Sequence, residues 1–324
     1  MRNIFIVNPC AGKGLGNESF IQQVRTASDK LSIPVEIYKT KAILDGEKIV
    51  SDICDKRNAE GSSEELRFFA CGGDGTLNEV VNGAFGYENV SVGCIPIGTG
   101  NDFVRNFKNA GDFYDIESQL KGTPQLIDLI EYTGAVPDAS SKKGVSANMF
   151  NIGFDCNVVV MTNKLKKYPL VSGSFAYLLG VAAIFIKKEG ANLKIETLDS
   201  SANSTTLNNG PLLLTTIANG SFCGGGVMSN PDARLDDGLF DLQIIQDIPR
   251  RTFVQMFPKY VKGTHLNTKI GQKYINYSNQ NHIKITALEK PMLASIDGEL
   301  YPFETLELKN LQKCMSFSVP AKTL

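Results

Sequence analysis

Short apolar runs alternate with amphipathic stretches over the first third of the chain. Residues 3–7, 35–38, 66–71 and 92–96 are apolar runs of strand length. Residues 19–31, 46–56 and 77–84 repeat apolar positions at three- and four-residue spacing, and a further helix is expected to start near Asp102. Strand–helix alternation of this kind predicts a parallel α/β sheet, and such sheets bind ligands outside the carboxyl ends of their strands. After about Gly122 the runs become strand-like, at 148–152, 193–197, 212–218, 240–245, 282–287 and 293–296. Polar turns at 133–144 and 198–210 separate some of them, and 199–209 reads as an exposed hairpin loop. This half predicts a mostly antiparallel β domain with helices inserted near 175–187 and 249–260. The boundaries expected are an α/β domain over 1–128, with a C-terminal return at 312–324, and a β domain over 129–311.

The glycines fall where the pattern puts the carboxyl ends of the strands. Asn8-Pro9-Cys10-Ala11-Gly12-Lys13-Gly14 follows the first strand, and its small residues let backbone amides approach an anion. The spacing is not that of a Walker A loop. Gly72-Gly73-Asp74-Gly75-Thr76-Leu77-Asn78-Glu79 joins a buried strand to a helix, whose N-terminus offers free amides and a dipole favourable to phosphate. Asp74 suits a hard cation such as Mg²⁺; a tight turn with Asp74 or Thr76 as helix N-cap is the plainer alternative. Pro96-Ile97-Gly98-Thr99-Gly100-Asn101-Asp102-Phe103 repeats the arrangement in register and adds a second carboxylate. Asp128 is a third candidate, for which a structural role is as well supported.

Two acidic motifs stand out in the second half. Arg234-Leu235-Asp236-Asp237-Gly238-Leu239 suits a cation held by one side chain and turn carbonyls, and equally an Asp-Gly hairpin turn. Asp297-Gly298-Glu299 is another Asp-Gly turn, with a carboxylate able to accept the proton of an attacking hydroxyl.

Composition narrows the function classes. The chain has 324 residues, enough for two domains, with 42% hydrophobic and 21% charged residues. A formal net charge of −1 gives no support for a nucleic-acid binder and excludes a strongly polybasic membrane anchor. Seven cysteines without a C-x-x-C pair fit reduced cytoplasmic thiols, and two histidines make a Cys/His zinc site a poor fit. The first nine residues read as a strand entering a loop rather than a signal peptide. Residues 168–186 approach spanning length, but their continuous apolar part, 175–186, is too short to cross a bilayer. It reads as a buried helix, with contact at the membrane surface as the alternative.

Taken together, these motifs resemble the diacylglycerol kinase catalytic-domain family, especially its bacterial soluble lipid kinases. The matching pieces are Asn8-Pro9 with Gly12-Lys13, Gly72-Gly73-Asp74-Gly75-Thr76, Gly98-Thr99-Gly100-Asn101-Asp102-Phe103, Asn219-Gly220 with Gly224-Gly225-Gly226, Leu235-Asp236-Asp237-Gly238 and Asp297-Gly298-Glu299. The glycine-aspartate loop is also similar to that of NAD kinases. The resemblance implies a Rossmann-like nucleotide domain followed by an antiparallel β-sandwich. It implies that Asn8, Pro9, Cys10, Ala11, Gly12, Thr40, Gly72, Gly73, Asp74, Gly75, Thr76, Leu77, Asn78 and Thr99 line ATP. Asp74, Asp102 and Asp128 would organise catalytic Mg²⁺ and phosphates. Arg234 and Leu239, by their carbonyls, and Asp237, by its side chain, would hold a structural Mg²⁺. Glu299 would accept the proton, with Asp297 beside it. Residues 315–319 would cross back to the first domain.

The activity implied is phosphoryl transfer from ATP to a lipid hydroxyl, diacylglycerol giving phosphatidic acid, by an enzyme that visits the membrane surface. Sphingoid bases, other lipids and NAD are alternative acceptors, and a nucleotide-binding regulatory protein is the non-enzymatic alternative. The edge of an antiparallel sandwich offers a surface for pairing into a homodimer.

Overall fold

The structure is a computed structural model describing residues 1–136, 141–154, 156–158, 190–199 and 203–323. It divides into two compact units, Met1–Ile127 with Lys313–Leu324, and Asp128–Gln312. The helix expected at 175–187 and the apolar stretch 168–186 lie outside the described residues.

In the first unit, β1 (Arg2–Val7), β2 (Val35–Lys39), β3 (Leu66–Gly72) and β4 (Val90–Pro96) pair in parallel in the order β2-β1-β3-β4. β1 and β3 are buried almost throughout, which is why they read as unbroken apolar runs. Phe5, Val7, Phe69, Cys71 and Ile95 on one face meet α1 (Glu18–Leu31) through Phe20, Val24 and Ala27. The side chain of Asn17 starts α1 by accepting from the amides of Ser19 and Phe20. α2 (Asp45–Ala59) packs against α3 (Asp74–Ala84), which lies on β3 and β4. α4 (Ile116–Leu120) completes the apolar layer over β1 and β3 with Ile116 and Leu120.

The helix expected from Asp102 is instead two 3₁₀ turns, Phe103–Asn106 and Ala110–Tyr114. Side-chain packing accounts for the irregular path. Phe103, Phe107 and Phe113 gather around Phe317, with ring centroids 4.9–6.3 Å from it.

In the second unit, β5 (Thr123–Ala135), which starts in the first, pairs with β6 (Lys142–Ser146). β7 (Met149–Gly153), β8 (Ala191–Leu198) and β9 (Ser204–Ala218) follow, then the short pair β10 (Phe222–Cys223) and β11 (Val227–Met228). β12 (Phe240–Gln246), β13 (Ile275–Gln280), β14 (His282–Ala287), β15 (Met292–Ile296) and β16 (Glu299–Phe303) complete the set with the long β17 (Thr305–Val319). The antiparallel order is β16-β15-β7-β9-β8-β14-β17, with β12 between β9 and β13. β17 leaves this unit at Lys313, whose φ of 49° breaks the extended path, and pairs Ser316 and Phe317 in parallel with β4. Phe150, Leu193, Ile195, Leu242, Ile283, Ile285 and Leu306 fill the core. α5 (Arg250–Val261) covers Leu213, Leu214 and Ile245 through Phe253, Met256 and Tyr260, and α6 (Lys269–Tyr274) packs against the same cluster through Ile270 and Tyr274.

Two expected turns prove shorter than their polar composition suggested. Thr133 and Gly134 pair with Lys143 and Lys142, and Thr205 and Thr206 pair with Thr197 and Glu196. Hydrogen bonding between strands overrides the polar pattern there, so the exposed loop expected over 199–209 closes by Asn203, whose amide donates to Asp199 Oδ1 at 2.8 Å. All seven cysteines are free.

Candidate functional site

At the carboxyl edge of the parallel sheet three loops are drawn together by main-chain contact. Asn8 donates from Nδ2 to Thr76 Oγ1 at 3.3 Å and accepts the Cys10 amide at its own Oδ1 at 3.0 Å. Thr40, buried just after β2, donates its amide to the Val7 carbonyl at 2.9 Å. Ala11 is buried, Pro9 half-buried and Cys10 exposed. Gly12 has φ +55°, and a Cβ there would lie 2.1 Å from the Ile97 carbonyl oxygen.

The two glycine loops meet backbone to backbone. The Gly98 amide donates to the Gly72 carbonyl at 3.0 Å, and a Cβ on Gly98 would fall 2.3 Å from Gly73 Cα. Asn101 holds the second loop in shape by donating from Nδ2 to the carbonyls of Pro96 at 2.7 Å and Gly98 at 2.9 Å. Thr99 is exposed at its tip, and Gly75 is half-buried in the first loop.

α3 starts at Asp74 with Gly73 as N-cap, and no side chain caps it. Asp74 is therefore not an N-cap, and neither is Thr76. Instead Asp74 Oδ1 accepts the amides of Asp102 at 2.8 Å and Phe103 at 3.2 Å, while its Oδ2 lies 2.8 Å from where a Gly100 Cβ would stand. Asp102 is buried, with Oδ1 3.5 Å from Arg105 Nε. Leu77 is buried and Asn78 half-buried, its carbonyl accepting from Asn82 Nδ2 at 2.9 Å. The edge thus combines closely packed glycine loops, a helix N-terminus and two neighbouring carboxylates, which suits a polyphosphate with a hard divalent cation.

Asp128 opens the second unit. It is fully buried in the second unit, where Oδ2 accepts the Gly238 amide at 2.6 Å and its own amide donates to the Leu235 carbonyl at 2.6 Å. Its carbonyl accepts from Asn219 Nδ2 at 3.2 Å. Asp128 therefore anchors the 235–238 turn. Within that turn Asp237 is exposed and accepts the Leu239 amide at 3.1 Å, Gly238 has φ +85°, and Arg234 is exposed. On β12, burial pushes the Asp241 carboxyl up to about 6, helped by the charges of Asp237 and Asp232. Among the described residues no three His, Cys, Asp or Glu side chains converge as a metal cluster.

The turn between β15 and β16 separates the two remaining candidates. Asp297 (φ 46°) and Gly298 (φ 93°) are both left-handed, as a two-residue type I′ hairpin requires. The buried Asp297 carboxylate is surrounded by donors: the Ser146 hydroxyl at 2.7 Å and the amides of Met149 at 2.9 Å, Asn148 at 3.2 Å and Ala147 at 3.2 Å. Glu299, two residues on, is exposed, and its carboxylate has no hydrogen-bond or ion-pair partner among the described residues. Ser146 went unnoticed in the sequence because nothing local marks a serine 151 residues away as the partner of an aspartate.

A parallel sheet with phosphate-suited loops at its carboxyl edge, followed by an antiparallel β unit with an Asp-Gly-Glu hairpin, defines an α/β protein built for phosphate chemistry. Comparison with known proteins agrees. The family described as diacylglycerol kinase catalytic domain matches residues 2–132, and the YegS C-terminal NAD kinase beta sandwich-like domain matches residues 148–311. The diacylglycerol kinase of Bacillus subtilis (strain 168) is 27% identical over 255 residues, 78% of this chain and 77% of that one. The diacylglycerol kinase of Staphylococcus carnosus (strain TM300) is 27% identical over 299 residues, 91% and 87% of the two chains. The crystal structure of a diacylglycerol kinase from Bacillus anthracis str. Sterne shares the fold with a TM-score of 0.65 at 20% identity, covering 100% of this chain and 98% of that one. The chain belongs to the diacylglycerol kinase catalytic-domain family and is a kinase, with a Rossmann-like first domain and a β-sandwich second domain.

Proposed function

We propose that this kinase transfers the γ-phosphoryl group of ATP to a lipid hydroxyl, with diacylglycerol the leading acceptor and phosphatidic acid the product. The observation that carries the reading is the cradle at the sheet edge, where Gly73, Gly98 and Gly100 leave no side chain between the two loops and the carboxylates of Asp74 and Asp102. Those residues fit a nucleotide with Mg²⁺. Asp74 gives one oxygen to two amides, and the other lies against Gly100, where a Cβ would stand 2.8 Å from it. When bound there, the cation would neutralise phosphate charge. The loop amides and the α3 N-terminus do the same work from the protein side.

Glu299 is the proton acceptor in this reading because its carboxylate is open and unshared. Asp297 positions the hairpin that presents Glu299, since its oxygens already accept four donors. The carbonyls of Arg234 and Leu239 with the exposed Asp237 carboxylate suit a second, structural Mg²⁺, and Asp128 shapes that turn from beneath through Gly238.

The test is transfer of label from γ-labelled ATP to a panel of diacylglycerol, monoacylglycerol, ceramide, sphingoid base and NAD. Labelled phosphatidic acid, dependent on Mg²⁺, is the expected product. Label on NAD and on no lipid would overturn the reading, as would ATP binding without transfer to any acceptor.

A further inference from the structure

The N-terminus of α2 has no cap of its own. Leu44 stands at the N-cap position with φ 65°, a left-handed conformation that a leucine adopts only when its surroundings hold it. Its side chain has no oxygen to accept the free amides of the first turn. The cap comes from another helix. Glu79 on α3 accepts the Leu44 amide at Oε1 (3.0 Å) and the Gly46 amide at Oε2 (2.9 Å). A carboxylate with an amide on each oxygen suits the positive end of the α2 dipole. The approach requires glycine at position 46, where a Cβ would lie 2.7 Å from Glu79 Oε2. The rest of the loop is bonded within itself: the Lys41 amide donates to Asp45 Oδ2 at 2.7 Å, and the Asp45 amide to the Ala42 carbonyl at 3.3 Å.

Both ends of this bridge belong to the sheet edge that carries the glycine loops. Glu79 stands on the helix whose first turn holds Asp74, Gly75 and Thr76. The loop it grips begins directly after Thr40, whose amide donates to the Val7 carbonyl, next to the Asn8 side chain that reaches Thr76. One carboxylate therefore fixes the wall that follows β2 to the helix that follows β3. Farther along, α2 and α3 meet by close packing, and a Cβ on Gly83 would lie 2.4 Å from the Glu47 carbonyl oxygen and 2.9 Å from Val50 Cβ. That contact holds the two helices together without Glu79. What Glu79 adds is the placement of the 40–46 loop.

We propose that Glu79 is a positioning residue of the nucleotide site, holding the Thr40 loop as its side wall at a fixed distance from the phosphate cradle. With both oxygens engaged by backbone amides, it acts through that loop and not on the phosphates. The inference rests on the reading of this edge as an ATP site.

The full chain is titrated with fluorescent ATP and assayed with ATP and diacylglycerol, beside Glu79→Gln and Val50→Ala. Glu79→Gln turns an NH₂ group towards one of the two amides and so loses one bond. It is expected to raise the Kd and KM for ATP about fivefold or more, with kcat at saturating ATP within about twofold. Val50→Ala thins the buried packing between the same helices. It should lower Tm at least as much and leave the KM for ATP unchanged. Hydrogen exchange without nucleotide reads the bridge itself, and residues 41–47 should exchange faster in Glu79→Gln. An unchanged KM for ATP in Glu79→Gln overturns the proposal. So does an equal rise in both variants, which would make Glu79 a packing residue, or a loss of kcat with KM unmoved, which would put it in the chemistry. Unchanged exchange over 41–47 overturns it whatever the nucleotide does. Failure of the ATP reading looks different: the unaltered chain binds no ATP while exchange over 41–47 still depends on Glu79, which leaves the bridge in place and overturns its role in nucleotide binding.

Discussion

The hydroxyl of Ser146 donates to the carboxylate of Asp297 across 2.7 Å, although the two residues are 151 positions apart. With three amides of the β6–β7 turn, that bond ties the Asp297-Gly298 hairpin to the strands beside it. The bond turns an apparent pair of interchangeable acids into one fixed carboxylate and one available carboxylate.

Asp297 and Glu299 should therefore fail differently. Asp297→Ala leaves three amides and a hydroxyl without their charged acceptor and should lower stability by about 3 kcal/mol, read by urea denaturation. Ser146→Ala should cost about 1 kcal/mol. Glu299→Gln should leave the denaturation curve unmoved and lower kcat by about 10²-fold or more.

Asp74→Asn keeps an acceptor oxygen for the amides of Asp102 and Phe103. Its stability should change by less than about 1 kcal/mol. Activity should fall by about 10²-fold or more, because in the proposed site a carboxylate that serves the phosphates and their cation has been neutralised. Full activity in Asp74→Asn would remove this residue from the chemistry.

Gly98→Ala drives a Cβ to 2.3 Å from Gly73 Cα, a backbone contact that no rotamer relieves. The two loops must part, which should cost about 1–3 kcal/mol and weaken nucleotide binding in a fluorescent-ATP titration. Gly86→Ala is the control. Its φ is +85° but its Cβ would meet open space, so it should cost about 1 kcal/mol and leave nucleotide affinity alone.

Stability in acid should show two opposed terms. His265 is fully buried with Nε2 2.7 Å from Gln243 Oε1, and burial pushes its pKa down to about 4. Between pH 6.5 and 4 the unfolded chain takes up a proton that the folded chain refuses, so this group removes stability as pH falls. Asp241, pushed up to about 6 by burial, does the reverse: the folded chain keeps its proton, and stability is lost as pH rises from about 4 to 6. Thermal melts in chelator-containing buffer should therefore vary little in the wild type across this window. His265→Gln should lose stability as pH rises, and Asp241→Asn should lose it as pH falls, by up to about 3 kcal/mol in each case.

Much of the first unit was legible because its signals are local. The apolar runs that became β1, β3 and β4 are buried on both faces, and Phe20, Val24 and Ala27 recur at helical spacing on α1. The 103–114 segment was misread because its path follows four phenylalanine rings, one of them Phe317 from the far end of the chain. Thr205 and Thr206 were misread for a similar reason, since their polarity was visible and their partners on β8 were not. β13, β16 and α6 were too short or too mixed in polarity to stand out.

The sequence by itself determined that glycines and carboxylates stand at strand ends and that an Asp-Gly pair turns a hairpin. These follow from steric demands and periodicities set within a few residues. Only the tertiary structure decided what each carboxylate is free to do. Asp74 came to hold the second loop by its amides, Asp128 came to sit under the 235–238 turn, and Asp297 came to be enclosed by donors while Glu299 stayed open. The physical reason is that a carboxylate's role depends on which donors surround it and how much water reaches it. Chain segments far apart in sequence supply both.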